Sequence, residues 1–487
     1  MAVWSEHRIG TAALCVALTA SAFLAGCGEV VKKAQSATQP TVQPGPQSYF
    51  SGAVAGGYKG GSVSDSEYLA TYDFDDSAST FAQFTFTFTS GDQKGPQLNF
   101  SGSWSALPRG ILNLGITYSN GQYGDASAPG SGINYNPALT GNWAFELAGQ
   151  AGGFVNLDGM PFVPIVATQS CPSFTKSVTY QFITIPTYIG YDLAGPNGGI
   201  QNWDVQDDTA YGQVTVSTSG STVTFNKIQQ FTSAGAQVSD YPDIPGDPAA
   251  VTSVAGSCSQ TFYGNTVSVP GDVAVTLPGP GETITSSAIV GVGPTGLLVE
   301  NNGQTENSVS NASFTGYQPF LGSGTGALGL PQPSSAVDTK ALSGAQYVGV
   351  IYGGGSGNKD WTSRIASFGF PSAPTGCPSG SLQLPIFGGD FPNNDPTQSP
   401  ANTPTGFGNC DIGIDLGQQS SSQAGLFPNA TIYLSQEFTG NTTAGTYSFP
   451  ATAIAGQLNG KYAVFVIGVD TTGTPNQAWG VYLFQSN

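Results

Sequence analysis

The chain has almost no histidine: of its 487 residues only His7 is one. Imidazole is the usual general base, zinc ligand and pH-sensitive group of proteins near neutral pH. Without it, the residues beyond the first few cannot form a Ser-His-Asp triad, a histidine-based zinc site or a Cys-His pair. The G-x-S-x-G turn that presents a catalytic serine is missing as well. Because these groups are absent, we predict no catalytic residue, and we favour a binding or structural role over catalysis.

Charge is equally scarce. Only 9% of the residues are charged, and 30 acidic against 12 basic side chains give a net charge of −18. Nucleic-acid binding needs a basic surface, and docking on anionic lipid needs clustered lysine or arginine. The composition therefore predicts no nucleic-acid partner and no direct docking of the folded part on an anionic membrane surface.

Cysteine is rare, and its number is informative. Of six cysteines, Cys15 and Cys27 belong to the N-terminal segment. The other four are Cys171, Cys258, Cys377 and Cys410. No C-x-x-C pair accompanies them, which disfavours a zinc site. An even number in an oxidising compartment predicts two disulfides with three possible pairings, and chain order favours Cys171–Cys258 and Cys377–Cys410.

The N-terminal segment has the layout of an export signal. Residues 1–8 are polar and contain Arg8, and residues 9–25 are small or apolar. The segment ends in Leu24-Ala25-Gly26-Cys27, which resembles the lipobox of bacterial lipoproteins. That resemblance implies a signal peptide over residues 1–26, removed before folding, and a mature chain anchored to the membrane by several acyl chains on Cys27.

The residues after Cys27 bear on location. Gly28 stands where an Asp would favour inner-membrane retention in such lipoproteins, so the resemblance implies the outer membrane or cell surface. Residues 27–48 form the lipidated cysteine and a flexible tether, because they are rich in Gln, Thr, Ser and Pro without apolar periodicity. A plain secreted protein and an uncleaved signal anchor are the alternatives.

The remaining sequence predicts an all-β protein. Residues 84–89 (FTFTFT) alternate strictly, and residues 213–225 read as two strands joined at Ser219-Gly220. Residues 461–470 and 478–485 are continuous apolar runs, as expected of strands that are buried on both faces. We expect antiparallel meander strands in two or more barrel or sandwich domains, with a β-propeller as the alternative.

A loose motif suggests internal repetition: apolar, small polar, Gly, any residue, large aromatic. It occurs at residues 100–104, 139–143 and 458–462, and with one extra residue at 342–347. Gly141 and Trp143 also resemble the opening of a calycin-type barrel. The predicted segments are an N-terminal β unit (49–137), a β domain (138–315), a linker (316–340) and a C-terminal β domain (341–487). The G-x-G-x-x-G match at 324–329 precedes no helical pattern and is predicted to be a loop.

Aspartate clusters offer the one metal hypothesis. The candidate ligands are Asp73, Asp75, Asp76, Asp204, Asp207 and Asp208. Oxygen-rich loops of this kind hold Ca²⁺, but none of these matches the EF-hand pattern, and Asp is also the residue of solvated turns. Asp390, Asp395 and Asp415 belong to further clusters with the same two interpretations. No other cofactor is expected.

Two tryptophans stand in polar, turn-like settings. Trp203 precedes Asp204, and Trp361 follows Asp360 and lies close to Arg364. An aromatic ring beside carboxylate and amide groups can bind sugars, whereas packing in a core is the alternative role. We therefore expect a surface protein that binds a glycan or an envelope protein. The alternatives are a carboxylate-dependent polysaccharide hydrolase and a scaffold subunit of an envelope assembly.

Overall fold

A computed structural model describes the chain in segments between residues 46 and 486. The described segments are 46–59, 62–75, 80–88, 97–120, 142–145, 152–156, 163–167, 175–185, 210–219, 222–232, 253–259, 266–275, 283–292, 296–308, 318–322, 326–354, 362–369, 382–391, 395–397, 412–434, 447–471 and 477–486. Nearly all of these residues lie in β-strands, and every strand pair is antiparallel. Within these segments, no helix has the length and apolar character needed to cross a membrane.

The first sheet contains nine strands. They are β1 (Pro46–Lys59), β2 (Ser62–Asp75), β3 (Thr80–Phe88), β4 (Gln97–Leu107), β5 (Ile111–Asn120), β6 (Asn142–Phe145), β7 (Gly152–Asn156), β8 (Val163–Ala167) and β16 (Gln318–Gly322). Strands β1 to β8 pair in chain order, and β16 pairs with the second half of β1. Strand β8 pairs with β1 at Tyr49 and Phe50, so the run of eight returns to its first strand.

The middle barrel is a closed sheet of eight strands. They are β9 (Val178–Ile185), β10 (Ala210–Ser219), β11 (Thr222–Thr232), β12 (Ser253–Ser259), β13 (Thr266–Val275), β14 (Thr283–Val292), β15 (Leu298–Ser308) and β17 (Gly326–Pro331). Ser219 pairs with Thr222, which confirms the hairpin predicted at Ser219-Gly220. Strand β17 pairs with both β15 and β9 and thereby closes the barrel.

The C-terminal barrel is a second closed sheet of eight strands, and all of them follow chain order. They are β18 (Tyr347–Gly354), β19 (Thr362–Phe368), β20 (Pro385–Asp390), β21 (Ile412–Asp415), β22 (Leu426–Leu434), β23 (Tyr447–Leu458), β24 (Lys461–Asp470) and β25 (Gln477–Gln485). A short helix, α1 (Thr339–Gly344), precedes it and is capped by the Asp338 carboxylate, which accepts from the backbone N–H groups of Lys340 and Ala341.

The predicted fold class is confirmed: the protein is all-β and antiparallel, and it contains more than one barrel. Sequential strands that close on themselves form up-and-down barrels rather than the radial blades of a propeller. The strands of each sheet do not begin and end at the predicted domain boundaries. Strands of residues 142–167 pair in the first sheet, and the segment 316–340, predicted as a linker, contains β16, β17 and the start of α1.

Two sequence motifs have a different structural meaning from the one expected. Residues 326–329 of the G-x-G-x-x-G match lie in strand β17 and not in the predicted loop. Gly329 suits this strand because it packs closely against Leu298 and the backbone of Gln181. The repeated motif falls at unlike positions: residues 100–104 lie inside β4, while residues 458–462 form the hairpin turn between β23 and β24. Trp143 lies in the sixth strand of its sheet, not in a first strand.

Candidate functional site

The interior of the C-terminal barrel is filled with apolar side chains from all eight strands. The fully buried members include Ile351, Ala366, Ile386, Ile414, Ile432, Ala453, Val466 and Val481. An eight-stranded barrel is just wide enough for its side chains to fill it. The centre of this barrel is therefore a packed core.

Helix α1 covers one end of this core. Leu342 is fully buried and packs with the interior residues, while Val337 and Ala345 pack beside it. The Tyr347 hydroxyl donates to the carbonyl oxygen of Leu342 at 2.5 Å, which ties the helix to the first strand. Burial of Tyr347 raises the pKa of its phenol, with a smaller contribution from Tyr462. A ligand cannot reach the core from this end without displacing the helix.

Much of the outer wall of the C-terminal barrel is also buried. Strand β9 supplies Ile183 and Ile185, and β17 supplies Leu328 and Leu330, to a cluster that includes Phe465. The first sheet covers another part of the wall with Ile111 and Phe154. The Phe154 ring lies 6.1 Å from that of Tyr352, 6.0 Å from that of Tyr482 and 5.9 Å from that of Phe484. This pattern confirms that β24 and β25 are buried on both faces.

Polar contacts fix the same interface. The Tyr482 hydroxyl donates to the backbone carbonyl of Thr184 at 2.6 Å, and the Gln181 side-chain amide donates to the carbonyl of Ala424 at 2.5 Å. Full burial raises the pKa of Tyr482 well above its ordinary value, with a further contribution from Tyr352. These bonds prevent the two barrels from sliding, because a shift would leave buried donors unsatisfied.

The other end of the C-terminal barrel carries charge, and we call it the Arg364 end. It is defined by Arg364, Asp390, Asp470 and Trp479, which lie close to the strand ends that face away from α1. Asp390 lies opposite the interior residue Ala366, and opposed residues share a face. Asp470 alternates with the interior residues Val464 and Val466, so both carboxylates are on the inner face.

An ion pair orients the charges at this end. Arg364 Nη1 donates to Asp390 Oδ2 at 2.7 Å, and the side chains are 26% and 3% exposed respectively. The buried carboxylate thus holds a guanidinium that is partly accessible to solvent. The Trp479 ring fills the space beside Gly353, where a Cβ atom would lie 2.2 Å from it. The barrel is therefore packed up to the level of its terminal charged residues.

The predicted ligand-binding pair adjoins the Arg364 end in the chain. Asp360 and Trp361 belong to residues 355–361, the connection between β18 and β19, and lie outside the described residues. Residues 472–476, also outside them, connect β24 to β25 at the same end. In the sequence, Trp361 and Arg364 are separated by only two residues.

Most other predicted site residues lie outside the described residues. They are Cys27, Asp76, Cys171, Trp203, Asp204, Asp207, Asp208, Cys377 and Cys410. Backbone pairing places three other predicted site residues. Cys258 of β12 pairs with Val267 of β13, and Asp73 and Asp75 of β2 pair with Ser48 and Pro46 of β1. Lipidation, the disulfides and calcium binding stay predictions.

Two further aspartates have structural roles. Asp395 accepts from the backbone N–H and hydroxyl of Thr397, and Asp415 accepts from the backbone N–H groups of Leu384 and Gly417. These are turn and loop contacts of the kind that aspartate often makes. Over the part of the chain that is described, no group of three or more His, Cys, Asp or Glu residues could hold a metal ion.

Sequence reasoning assigned no role to Gln181, Tyr482 and Arg109. All three reach across from one sheet to another, so no local pattern marks them. Arg109 did carry a weak signal: it is one of only three arginines in the chain, the others being Arg8 and Arg364.

Comparison with known proteins assigns this chain to no family. No protein-family model matches the chain, and the search of curated proteins finds no match. Among solved structures, the chain is similar to isotype 1 transferrin binding protein B from serogroup B Neisseria meningitidis, at 10% sequence identity and a TM-score of 0.18. That similarity covers 69% of this chain and 84% of the other.

Proposed function

We propose that this chain is a lipid-anchored surface protein outside the cytoplasm, whose rigid β framework presents a binding site at the Arg364 end. The observation that carries the proposal is the packing of the C-terminal barrel. Its interior is filled, helix α1 covers one end, and the other sheets cover much of its wall. At the Arg364 end, a partly exposed guanidinium lies on the inner face of the barrel beside the buried carboxylate of Asp390.

The ligand class we propose is a glycan. Trp361 supplies a flat apolar face, while Asp360 and the Arg364 guanidinium supply hydrogen-bonding groups that suit hydroxyl-rich ligands. A glycan array probed with the mature protein tests this. We expect Trp361→Ala to abolish the signal, and Trp203→Ala tests the second tryptophan that the sequence offers as a sugar-binding ring. No signal from the wild-type protein, or an unchanged signal from Trp361→Ala, would contradict the proposal.

The membrane anchor is tested separately. The sequence Leu24-Ala25-Gly26-Cys27 supports acylation of Cys27, and Cys15 provides a matched control within the same segment. We expect labelled palmitate to enter the wild-type protein and Cys15→Ser but not Cys27→Ser. Only the first two should partition into detergent. Equal labelling of all three would refute the anchor without bearing on the glycan site.

The hydrolase alternative has one observation in its favour: Asp390 and Asp470 both lie on the inner face of the Arg364 end. Glycoside hydrolysis uses a pair of carboxyl groups. Under that alternative, polysaccharide would be cleaved, and Asp470→Asn would abolish cleavage while binding persists. Binding without cleavage supports the binding role. The scaffold alternative predicts a defined oligomer by light scattering, where the binding role predicts a monomer.

A further inference from the structure

A strained turn places an arginine between the first sheet and the C-terminal barrel. Residues 108–110 connect β4 to β5, and Arg109 there has φ 72° and ψ 24°, followed by Gly110 with φ 74°. The left-handed region is unfavourable for a residue with a Cβ atom, and glycine or asparagine would suit the position better. The contacts of the arginine side chain therefore need an account.

The Arg109 side chain crosses to β19. Its Nη1 donates to the hydroxyl oxygen of Ser367, a residue that is only 2% exposed. Arg109 itself is half-buried, and this desolvation lowers the pKa of its guanidinium. Within the described part of the chain, Ser367 is the partner that the structure gives to this cation, and no carboxylate there contacts it.

One hydrogen bond leaves this cation poorly compensated. A hydrogen bond from a charged donor is stabilising, whereas backbone strain and the partial loss of hydration act in the opposite direction. A guanidinium has five N–H donors in a fixed fork that matches oxygen anions, so an anionic oxygen group would complete its contacts.

We propose that Arg109 and Ser367 form a binding site for an anionic oxygen group of a ligand: a carboxylate, a sulfate or a phosphate. The guanidinium would donate to the anion through the fork, and the Ser367 hydroxyl, which accepts from Arg109, would donate its proton to the same group. The site lies on the outer side of β19, whereas Arg364 is on the same strand and faces the interior. It is thus distinct from the proposed glycan site and does not depend on it.

The test uses the full mature chain and three probes: sodium sulfate, sodium phosphate and sodium glucuronate. Each is titrated against sodium chloride at matched ionic strength while thermal unfolding is recorded. A ligand that binds only the folded state raises the melting temperature in proportion to ln(1 + [L]/Kd). Sulfate and phosphate also stabilise folded proteins by exclusion from their surface, so binding is measured as the saturable rise in melting temperature that Arg109→Gly loses. We expect at least one of the three anions to produce such a rise.

Arg109→Gly is the decisive variant, because glycine adopts the left-handed conformation without strain and the turn persists. We expect it to bind the anion at least tenfold more weakly. Ser367→Ala should weaken binding to a smaller extent, and Lys340→Gln, which removes an exposed cation from α1, should bind as the wild type does. No stabilisation beyond chloride by any of the three anions, or equal affinity in Arg109→Gly, would overturn the proposal.

Discussion

Replacing Phe154 by alanine should uncouple the first sheet from the C-terminal barrel. The ring is fully buried and lies about 6 Å from three aromatic rings of the barrel wall. Removing a buried phenylalanine side chain costs ~3–5 kcal/mol, because apolar contacts are lost and a cavity remains. We expect the free energy of unfolding to fall by that amount in urea titrations followed by tryptophan fluorescence.

A matched variant separates this role from the general effect of losing a ring. Phe231 is only partly buried and stacks on Tyr211 with ring centroids 5.3 Å apart, so Phe231→Ala should cost less than ~2 kcal/mol. Hydrogen exchange should accelerate in β18 and β25 of Phe154→Ala alone, since those strands lose their cover. Phe154 does not couple the first sheet to the C-terminal barrel if Phe154→Ala loses no more stability than Phe231→Ala and leaves hydrogen exchange in β25 unchanged.

Three further predictions concern the C-terminal barrel. Gly388→Ala should lower stability by ~1–3 kcal/mol in urea unfolding, because the new Cβ would lie 2.4 Å from a buried ring, whereas Gly344→Ala meets nothing within 4 Å and should not. Asp390→Asn should cost ~3–5 kcal/mol, since it leaves Arg364 without its buried counter-charge, and equal stability would count against the ion pair. Burial raises the pKa of the Tyr347 phenol above its value in the unfolded chain. The contribution of Tyr347 to stability should therefore be constant below about pH 10 and fall above it. Tyr347→Phe should reduce that fall when unfolding is followed in base titrations.

The sequence predicts those features whose pattern is local. The apolar runs at 461–470 and 478–485 require burial on both faces, and the structure provides it. Ser219-Gly220 is a turn signal that needs no distant partner. Neither pattern says what covers the outer face, and that cover comes from residues as far away in the chain as Ile111 and Ile183.

The candidate site was less accessible to prediction because its contacts are long-range. Arg109 meets Ser367 across 258 residues, and no periodicity connects them. The sequence shows Asp390 only as part of an acidic cluster, while its role depends on Arg364 in the neighbouring strand. Strand β16 leaves the run of the middle barrel to pair with β1, an exchange that its own five residues do not indicate.

The packing gives the C-terminal barrel a solid core, and this leaves its Arg364 end as the proposed place for a ligand. Titration of the native mature protein with an apolar fluorescent probe, anilinonaphthalene sulfonate, tests whether that core is solid. A filled interior predicts no saturable binding to this barrel in the wild type. It also predicts that Ala453→Leu lowers stability by ~1–3 kcal/mol, since Ala453 is a fully buried interior residue with no room for a larger side chain. Saturable binding by the wild type that Ala453→Leu abolishes would show a hollow barrel and contradict the account.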